Sequence, residues 1–524
     1  MIRKARMILA ATLAAFLLPS MVGSASADEA TIVSKQKISE RLQELTIETS
    51  AFAEPTKVHV FLPTGYDSLP PRRWPVTYFL AGTQNNYDSF ANFLDGVNMT
   101  AHYPSIVVSP DSNSGYWSDW FNGGAFGPPQ YETFVIDQLI PLIDRSYRTI
   151  PERAQRAVFG ISMGGYGAMS LAAKHPDKFV AAATLSGAVD TNNPLIGAAL
   201  SFSSTFDGGA IDAINGPRTT EEVRWRGSNP TDLASNLDGV AVQVRTANGT
   251  LNPEIGEGND PNDSLSCLVE NGVYQGSTSF HEALEAAGVK HTWADYGNGC
   301  HSVQNFTREV IDTLKSFEAV LGDAPEDPAS FEYRSIKPEF DVWDWNFKAD
   351  RNRALEFMEV AVEPGEVTLS GSGRTTVTTP PIFKGIRKVD VGRKADKGNR
   401  HVHYRPSPDG RLTFPVDLGP AHKIQQYRPG AATKFKTVTV TLSPHAVIKI
   451  LSARQRASGV RVCARTLGGP VPVAKVKAGK KAVKTKLTSS PRCPVLRTRE
   501  KPGKVIVEGR DTHGHIVRAT APVK

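Results

Sequence analysis

The sequence predicts an α/β fold, with a doubly wound and mostly parallel sheet, followed by a basic all-β region. In residues 28–322, short apolar runs alternate with segments of helical spacing, which is typical of a parallel sheet covered by helices on both faces. From residue 331 onward, short alternating runs are separated by glycine and proline turns, as in β-sandwich modules. The sign of the net charge changes at the same place in the chain. Residues 331–524 hold 38 lysines and arginines against 16 acidic residues, and residues 1–330 hold 22 against 37.

The elements of the first part follow from their hydrophobic periodicity. Two segments alternate with a period of two and predict strands with one solvated face: 41–49 and 57–63. Further apolar-rich runs predict the strands of the sheet interior: 75–80, 105–111, 157–159, 179–187, 240–246 and 290–295. Helical spacing predicts helices over 131–147 and 305–321. Residues 195–235, rich in glycine, serine and asparagine, are predicted to be an insertion over the edge of the sheet.

A serine stands between two glycines in the segment Gly160–Gly164, which reads GISMG. An apolar run precedes it and a helix-forming segment follows, so the serine lies at a strand-to-helix turn. Such a turn is the nucleophile elbow of α/β-hydrolases, in which glycines make room for a strained backbone. The sequence therefore predicts Ser162 as a catalytic nucleophile, with a structural glycine-rich turn as the alternative. The predicted oxyanion hole is the backbone N–H of Met163 with that of Thr83, in the loop after an earlier buried strand.

A nucleophilic serine needs a base, and the base needs an orienting carboxylate. His301 is the predicted base, because it lies between the last predicted strand and the closing helix, where α/β-hydrolases carry it. No carboxylate directly follows the predicted strand 240–246. The candidates for the acid are therefore Glu254, Glu257, Asp260, Asp263 and Glu270. The first four lie in an acidic loop that is either solvated or a weak calcium site. Glu270 is modestly favoured, because a bridge between Cys267 and Cys300 would hold its segment against His301.

The N-terminus predicts an exported protein. Residues 1–27 have a basic start, an apolar run over 7–18 and an Ala-Ser-Ala cleavage site, which together indicate a signal peptide. Export makes the four cysteines candidates for disulfides. We expect pairing within each half of the chain: Cys267 with Cys300, and Cys463 with Cys493. The predicted localisation is extracellular, with cell-wall association as an extension.

The second part of the chain, residues 331–524, is predicted to form one or two β-sandwich modules after a linker over 323–330. Its surplus of positive charge is suited to an anionic cell-wall polymer or lipid surface, and a solvated spacer is the alternative. Residues 475–486 are predicted to be a lysine-rich solvated strand or hairpin. Nucleic acid is not an expected partner outside the cell, and neither a metal nor a cofactor is predicted.

The chain resembles the antigen 85 mycolyltransferases, a family of secreted esterases and acyltransferases, over residues 45–317. The matching segments occur in the same order: Tyr116–Trp120 (YWSDW), Gly160–Gly164 (GISMG), His175–Val180 (HPDKFV), Asn248–Thr250 (NGT) and Cys300–Ser302 (CHS). In that family the acid is a glutamate in a Leu-x-Glu segment preceding a helix that ends Ala-Ala-Gly. Leu268–Glu270 and Ala286–Gly288 match that pattern. The resemblance thus implies a triad of Ser162, Glu270 and His301.

The aromatic loop of this resemblance supplies candidate substrate-binding residues. These are Trp117, Asp119 and Trp120, together with Gln84 of the oxyanion loop; core packing is the alternative for the rings. The sequence also departs from the family. The aspartate and arginine that bind trehalose in the family stand here as Ala81 and Gln84. That change affects the acceptor rather than the acyl chemistry.

The resemblance implies a function as well. It implies that a long acyl group moves from a trehalose ester-like glycolipid, through an acyl-Ser162 intermediate, to a sugar or glycerol hydroxyl. The first alternative is a secreted carboxylesterase that hydrolyses acyl esters of polysaccharides or lipids. The second is a non-catalytic protein that binds the cell wall. An apparently complete set of serine, acid and histidine argues against the second.

Overall fold

A computed structural model describes residues 30–69, 71–393 and 401–524. The predicted signal peptide, residues 1–27, lies outside the described residues. Among those that are described, no helix combines the length and the apolar character needed to cross a membrane.

The first part of the chain is built on one nine-stranded sheet with the order β1-β2-β3-β5-β4-β6-β7-β8-β9. Its strands are β1 (Thr31–Lys37), β2 (Leu42–Glu48), β3 (Thr56–Phe61), β4 (Val76–Leu80), β5 (Ile106–Pro110), β6 (Arg156–Ile161), β7 (Ala181–Leu185), β8 (Ala241–Thr246) and β9 (His291–Asp295). The six neighbouring strands β5-β4-β6-β7-β8-β9 are parallel to one another. Strands β1, β2 and β3 are antiparallel to their neighbours, and β3 pairs with β5. The carboxyl ends of the parallel strands therefore meet at one edge, where ligands of such sheets bind.

Helices cover both faces of this sheet. They are α1 (Ser89–Asn92), α2 (Gly96–Met99), α3 (Tyr131–Thr133), α4 (Ile140–Ser146), α5 (Met163–Lys174), α6 (Pro194–Ser203), α7 (Arg218–Arg226), α8 (Asp263–Ala286) and α9 (Val303–Gly322). A π-helical turn, Phe134–Leu139, joins α3 to α4. Side chains of α4, α5 and α8 share one buried apolar cluster, and those of α1 and α9 share another. Two cores on opposite faces are what a doubly wound sheet requires, and the predicted α/β fold class is confirmed.

The second part of the chain consists of antiparallel β-sheets, which confirms the predicted all-β class. The first β-module, residues 331–444, contains β10 (Phe331–Ser335), β11 (Glu339–Val342), β12 (Trp345–Ala349), β13 (Met358–Glu363), β14 (Glu366–Gly371), β15 (Arg374–Thr378), β16 (Val389–Arg393), β17 (His401–Tyr404), β18 (Thr413–Asp417) and β19 (Lys436–Pro444). Its sheets, of orders β10-β13-β14-β19-β16-β17 and β11-β12-β15-β18, enclose a common apolar core.

The second β-module, residues 447–522, contains β20 (Val447–Arg456), β21 (Gly459–Leu467), β22 (Val471–Ala478), β23 (Lys481–Leu487), β24 (Val495–Leu496), β25 (Lys504–Arg510) and β26 (Ile516–Pro522). Its two sheets, β20-β21-β24 and β23-β22-β25-β26, enclose a separate core. The lysine-rich segment 475–486 lies in the hairpin of β22 and β23.

The first β-module packs against the α/β part through specific polar contacts. The Tyr333 hydroxyl donates to the carbonyl of Lys174 at 2.7 Å. The buried Glu132 pairs with Lys174 at 2.9 Å and with Lys337 of the β-module at 2.6 Å. Burial alone would raise the pKa of Glu132, but the charges of Lys174 and Lys337 outweigh it and hold that pKa well below its usual range. An ionised carboxylate between two ammonium groups thus joins the two parts.

Candidate active site

Ser162 occupies the turn between β6 and α5 with a left-handed backbone, φ 56° and ψ −120°. The turn is tight because the glycines beside it touch main-chain atoms. A Cβ on Gly164 would stand 1.9 Å from the carbonyl oxygen of Leu80, and one on Gly160 would stand 2.2 Å from that of Gly164. Only glycine fits at these two positions, so the strained serine is held by its surroundings. The predicted elbow geometry is present.

The two predicted oxyanion donors flank this serine. Met163 is the first residue of α5, so its N–H is one of the unpaired donors at a helix N-terminus. The loop after β4 lies against the serine, because a Cβ on Gly82 would approach the Ser162 Cβ to 3.4 Å. Within the described part of the chain, no hydrogen bond engages the N–H of Thr83 or Met163. Both donors remain available for an oxygen that becomes negatively charged.

Glu270 and His301 form a direct pair, with 2.7 Å between Glu270 Oε2 and His301 Nδ1. Glu270 is completely buried and His301 is partly exposed. This contact commits Nδ1 of the imidazole to the carboxylate and leaves Nε2 as the nitrogen that can accept a proton.

The position of Glu270 corrects one expectation, because the residue lies inside α8 rather than before it. The helix begins at Asp263, whose carboxylate accepts the N–H groups of Gly258 and Asp260 and so closes the preceding loop. The Cys267–Cys300 disulfide is present and connects α8 to the residue next to His301. The second predicted bridge, Cys463–Cys493, is present as well.

A buried polar network behind Glu270 was not found from the sequence. Ser186 Oγ lies 2.7 Å from Glu270 Oε1 and 3.0 Å from Glu309 Oε1. The backbone N–H of Ala247 donates to Glu270 Oε1 at 3.0 Å. Burial and the adjacent charge of Glu270 raise the pKa of Glu309 well above its usual range. Glu309 is therefore held in its neutral form, behind the carboxyl group that touches His301.

One sequence signal could have revealed this network. Asn305 and Glu309 are four residues apart on the buried stripe of α9, among Val310, Leu314 and Phe317. Polar residues on the buried face of a helix must find partners inside the protein. Asn305 does so by donating to Ser186 Oγ at 3.2 Å.

Ser162 and His301 both line one cavity, although they are not hydrogen-bonded. The hydroxyl of Ser162 makes no hydrogen bond within the described part of the chain. The His301 ring meets the edge of Phe306 at a centroid distance of 4.9 Å. Contacts between a nucleophile and its base are often long before substrate binds. The missing hydrogen bond between Ser162 and His301 is therefore compatible with the predicted roles of nucleophile and base.

The cavity in front of Ser162 has a volume of about 660 Å³ and mostly apolar walls. Its apolar lining comes from Phe93, Leu94, Leu195, Ile196, Ala199, Leu265, Leu268, Val269, Val273, Val303 and Phe306. Leu265 and Leu268 of α8 are each 62% exposed. A cavity of this size can enclose a ligand of some tens of atoms, and its exposed leucines form an apolar rim.

The predicted substrate-binding residues divide into two groups. Gln84 and Thr83 line the cavity. Trp117 and Trp120 do not; both are buried, and their ring N–H groups donate to the carbonyls of Ala81 and Gly115. These two rings pack into the core beneath the oxyanion loop, which corresponds to the core-packing alternative.

Asp119 is also directed away from the cavity. Its carboxylate accepts the backbone N–H of Thr133 at 3.0 Å and the hydroxyl of the same residue at 2.6 Å. It therefore anchors the start of the α3–α4 helical segment.

The acidic loop before α8 also differs from its expectation. Glu257 is buried, and its carboxylate accepts the N–H of Cys300 at 2.9 Å and the N–H of Asn252 at 2.9 Å. It positions the residue that precedes His301 and is not solvated. Glu254 and Asp260 are exposed.

A doubly wound sheet, a serine at the strand-to-helix turn and a Glu-His pair at its carboxyl edge define the class of α/β-hydrolases. Within that class, the chain belongs to the family described as "Putative esterase", whose model matches residues 49–317. It is an Ag85-type esterase family in the α/β-hydrolase superfamily, and the match covers about half the chain.

Two curated relatives illustrate the family. Over 265 residues the chain is 30% identical to Esterase Rv1288 of Mycobacterium tuberculosis, which covers 50% of this chain and 56% of the relative. Over 265 residues it is 28% identical to the diacylglycerol acyltransferase/mycolyltransferase Ag85A of Mycobacterium leprae, covering 48% of this chain and 77% of the relative. The chain thus spans about half the length of the first of these. The relatives support an enzyme of the esterase or acyltransferase class.

Solved structures also match the first part of the chain. One is MPT51 (FbpC1) of Mycobacterium tuberculosis, at 20% identity and a TM-score of 0.43, covering 53% of this chain and 97% of that one. Another is a ferulic acid esterase, at 19% identity and a TM-score of 0.40; the match covers 56% of this chain and 99% of the esterase chain.

Proposed function

We propose that this chain is a secreted serine acyltransferase or esterase that moves a long acyl group through an acyl-Ser162 intermediate. The observation that carries the proposal is the apolar cavity that Ser162 shares with the Glu270-bound His301. Membership of a family with esterases and acyltransferases supports the same reaction class.

The chemistry proceeds in two balanced halves. His301 Nε2 accepts the proton of the Ser162 hydroxyl while Oγ attacks the ester carbonyl carbon. The N–H groups of Thr83 and Met163 stabilise the oxyanion, and Glu270 stabilises the imidazolium. The bond to the leaving alcohol breaks, and that alcohol takes the proton from His301. An incoming hydroxyl then repeats these steps and releases the acyl group from Ser162.

The acyl group is proposed to be long because the cavity walls are apolar. Side chains of α6 and α8 and the residues around Phe306 line it. A donor of the trehalose ester type places its sugar outside and its acyl chain among these side chains. The exposed Leu265 and Leu268 at the rim then contact the rest of the chain or the lipid aggregate that presents it.

Hydrolysis is the second candidate outcome, and two residues favour it. Ala81 and Gln84 stand where the resembling family has its trehalose-binding aspartate and arginine. Without these charges the acceptor site loses hydrogen bonds to a sugar, and water then competes for the acyl-enzyme more effectively.

The site of action is proposed to be outside the cell, at the wall. The predicted signal peptide and two disulfides support export. Residues 446–524 contain 19 lysines and arginines against 3 acidic residues. A surplus of this size attracts anionic polymers or lipid headgroups.

Product analysis tests this proposal. The exported protein is incubated with a trehalose monoester of a long fatty acid, and transferred acyl groups are counted against free fatty acid. Transfer to trehalose or glycerol supports the acyltransferase, and release to water alone supports the hydrolase. A phosphonate probe should label the wild type and leave Ser162→Ala unlabelled. Labelling of that variant at an equal rate would refute the role of Ser162.

A further inference from the structure

An exposed apolar surface borders the cavity in front of Ser162. Four side chains that line the cavity are each more than half exposed: Phe93, Leu195, Leu265 and Leu268. They come from three elements, because Phe93 follows α1, Leu195 lies at the start of α6, and the two leucines lie in the first turns of α8. Single exposed leucines are normal on protein surfaces, whereas neighbouring apolar side chains from several elements mark an interaction site.

The apolar surface continues along α6, because this helix is apolar on two opposite faces. The buried face carries Ile196 and Leu200, which belong to the core of the α/β part. The other face is exposed, and its residues recur at helical spacing into the short helical turn after α6: Leu195, Ala199, Phe202 and Phe206. Phe202 and Phe206 do not line the cavity, so the exposed stripe extends beyond it.

The start of α6 is fixed in place by a cap and by close packing on α8. The Asn193 side chain accepts the backbone N–H groups of Leu195 and Ile196 at 2.9 and 3.4 Å. A Cβ added to Gly272 of α8 would stand 2.5 Å from Leu195 Cδ2, and one added to Gly276 would stand 2.5 Å from Ile196 Cδ1. The exposed apolar faces of α6 and α8 therefore lie side by side.

Charged side chains are nearly absent from this segment. Residues 191–211 contain one ionisable side chain, Asp207, and its carboxylate accepts the backbone N–H of Ser114 at 2.8 Å. A surface helix of a water-soluble protein ordinarily presents charged and polar residues on its exposed face. An exposed apolar face is stabilised instead where it enters the boundary between the headgroups and acyl chains of a lipid surface.

We propose that a docking face, formed by Phe93, Leu195, Phe202, Phe206, Leu265 and Leu268, binds a lipid surface whose headgroups carry no net charge. Four of these six side chains also line the cavity, so a lipid surface on this face can deliver an acyl chain directly to it. A second copy of the chain on the same face would cover those four side chains and obstruct the cavity. The inference rests on the proposed function for the ester that the lipid surface presents.

Vesicle binding tests the docking face separately from the chemistry. The chain without residues 1–27 and with Ser162→Ala is floated with phosphatidylcholine vesicles in about 1 M NaCl, which screens attraction to the basic β-modules. Adding Phe202→Ser/Phe206→Ser should weaken binding about 10–100-fold, because two aromatic side chains no longer leave water. The matched control Ile311→Ser/Ile382→Ser removes two exposed apolar side chains from α9 and the first β-module, and it should bind as its Ser162→Ala parent does.

Activity with Ser162 restored gives a second measurement. Hydrolysis of a soluble acetyl ester by Phe202→Ser/Phe206→Ser should equal that of the wild type, which shows that the variant is folded. Turnover of a long-chain ester embedded in the vesicles should fall at least about tenfold in the same variant. If the wild type cleaves neither ester while its Ser162→Ala form still floats, the proposed function fails and the docking face stands.

A conservative variant keeps the test independent of lost stability. Phe202→Trp retains an aromatic side chain and should bind the vesicles as tightly as the wild type. Brominated phosphatidylcholine should quench its fluorescence more than that of the wild type, because the added indole enters the lipid. Equal quenching of the two proteins contradicts contact between α6 and the lipid.

Three further outcomes would overturn the proposal. The first is a Ser162→Ala protein that does not float, and the second is equal binding by the Phe202→Ser/Phe206→Ser variant and its control. The third is binding that requires anionic lipid and is lost at high salt, which would assign it to the basic β-modules. A dimeric wild type that becomes monomeric in the double variant, with no vesicle binding by either, would assign the face to self-association.

Discussion

At the scale of single residues, Glu270 and Glu309 show how burial assigns different charges to identical groups. Both carboxyls are buried and both contact Ser186. Glu270 also accepts the N–H of Ala247 and contacts His301, so both of its oxygens have polar partners. Glu309 has one oxygen without a hydrogen-bond partner. A neutral Glu309 adds no second negative charge to the buried network behind Glu270.

Glu270→Gln should reduce kcat about 10³–10⁴-fold, because an amide neither fixes the imidazole tautomer nor stabilises imidazolium. The measurement is hydrolysis of a chromogenic ester under saturating conditions. Glu285→Gln is the matched control, since Glu285 lies on the same helix with its side chain 64% exposed. A kcat for Glu270→Gln within tenfold of the control would contradict the assignment of the acid.

Glu309→Gln should change how stability depends on pH. The pKa of Glu309 is raised in the folded state, so the folded chain keeps a proton that the unfolded chain releases above about pH 4.3. The contribution of Glu309 is therefore full below that pH and is lost as the pH rises toward the folded pKa. Glutamine does not titrate, so the variant should gain stability relative to wild type between pH 4 and pH 8. Urea unfolding at pH 4 and at pH 8 measures the free energy of unfolding of the variant and of the wild type. A difference between the two proteins that is the same at both pH values would count against a neutral Glu309.

At the scale of elements, the site depends on how α8 and α9 are held against the sheet. The Cys267–Cys300 disulfide joins the start of α8 to the loop before α9. Glu257 adds a buried hydrogen bond to the same loop. His301 and Glu270 thus come from separate elements that are tied together next to the catalytic contact.

Removing that disulfide should therefore impair catalysis. Cys267→Ser/Cys300→Ser should lower kcat and reduce stability by up to about 4 kcal/mol for a loop of this length. The matched control is Cys463→Ser/Cys493→Ser, which removes a bridge of similar sequence separation from the second β-module. That variant should keep kcat. Equal losses of kcat in both variants would show that the first bridge has no special relation to the site.

The apolar walls from α6 and α8 predict a dependence on acyl length. Each buried methylene contributes up to about 0.8 kcal/mol, so kcat/KM should rise by as much as about fourfold per methylene until the cavity is filled. Leu268→Ser should flatten this series while leaving acetyl esters unaffected. Ile311→Ser, at an exposed apolar residue of α9, is the control and should follow the wild type. A series that is flat in the wild type would exclude an acyl-binding role for the cavity.

The elements were predicted unequally well. The strands and the closing helix α9 follow from periodicity, because a buried strand and an amphipathic helix each have a local pattern. The segment 195–235, predicted only as a polar insertion, contains α6 and α7. Leu195 and Ile196 of α6 line the cavity, a contact that depends on packing against α8 and not on local sequence.

At the scale of the whole molecule, the basic charge is concentrated far along the chain from the site. In the hairpin of β22 and β23, Lys475 stands directly opposite Lys484. Like charges in this position destabilise a sheet. On its other side Lys475 stands opposite Glu508 of β25, which offsets part of this repulsion within the sheet.

Removing part of this charge should weaken adsorption to isolated cell-wall fragments. Lys480→Gln/Lys484→Gln/Lys486→Gln should elute at lower salt than the wild type, because fewer counterions are exchanged on binding. The control, Lys37→Gln/Lys290→Gln/Lys315→Gln, removes the same charge from exposed positions of the α/β part and should elute with the wild type. If the hairpin variant and the control variant elute at the same salt concentration, then net charge alone, or another surface, accounts for binding.

The sequence by itself determined the two fold classes, the glycine-flanked turn at Ser162, the position of His301 between the last strand of the sheet and the closing helix, and the pairing of the cysteines. These features depend on local patterns, such as strand and helix periodicity, a glycine-flanked turn and spacing along the chain. Only the tertiary structure placed Glu309 behind Glu270, buried Trp117 and Trp120 in the core, and set the exposed apolar face of α6 beside that of α8. Such features depend on contacts between residues distant in sequence, and the free energy of each contact is set by the burial and charge of its surroundings.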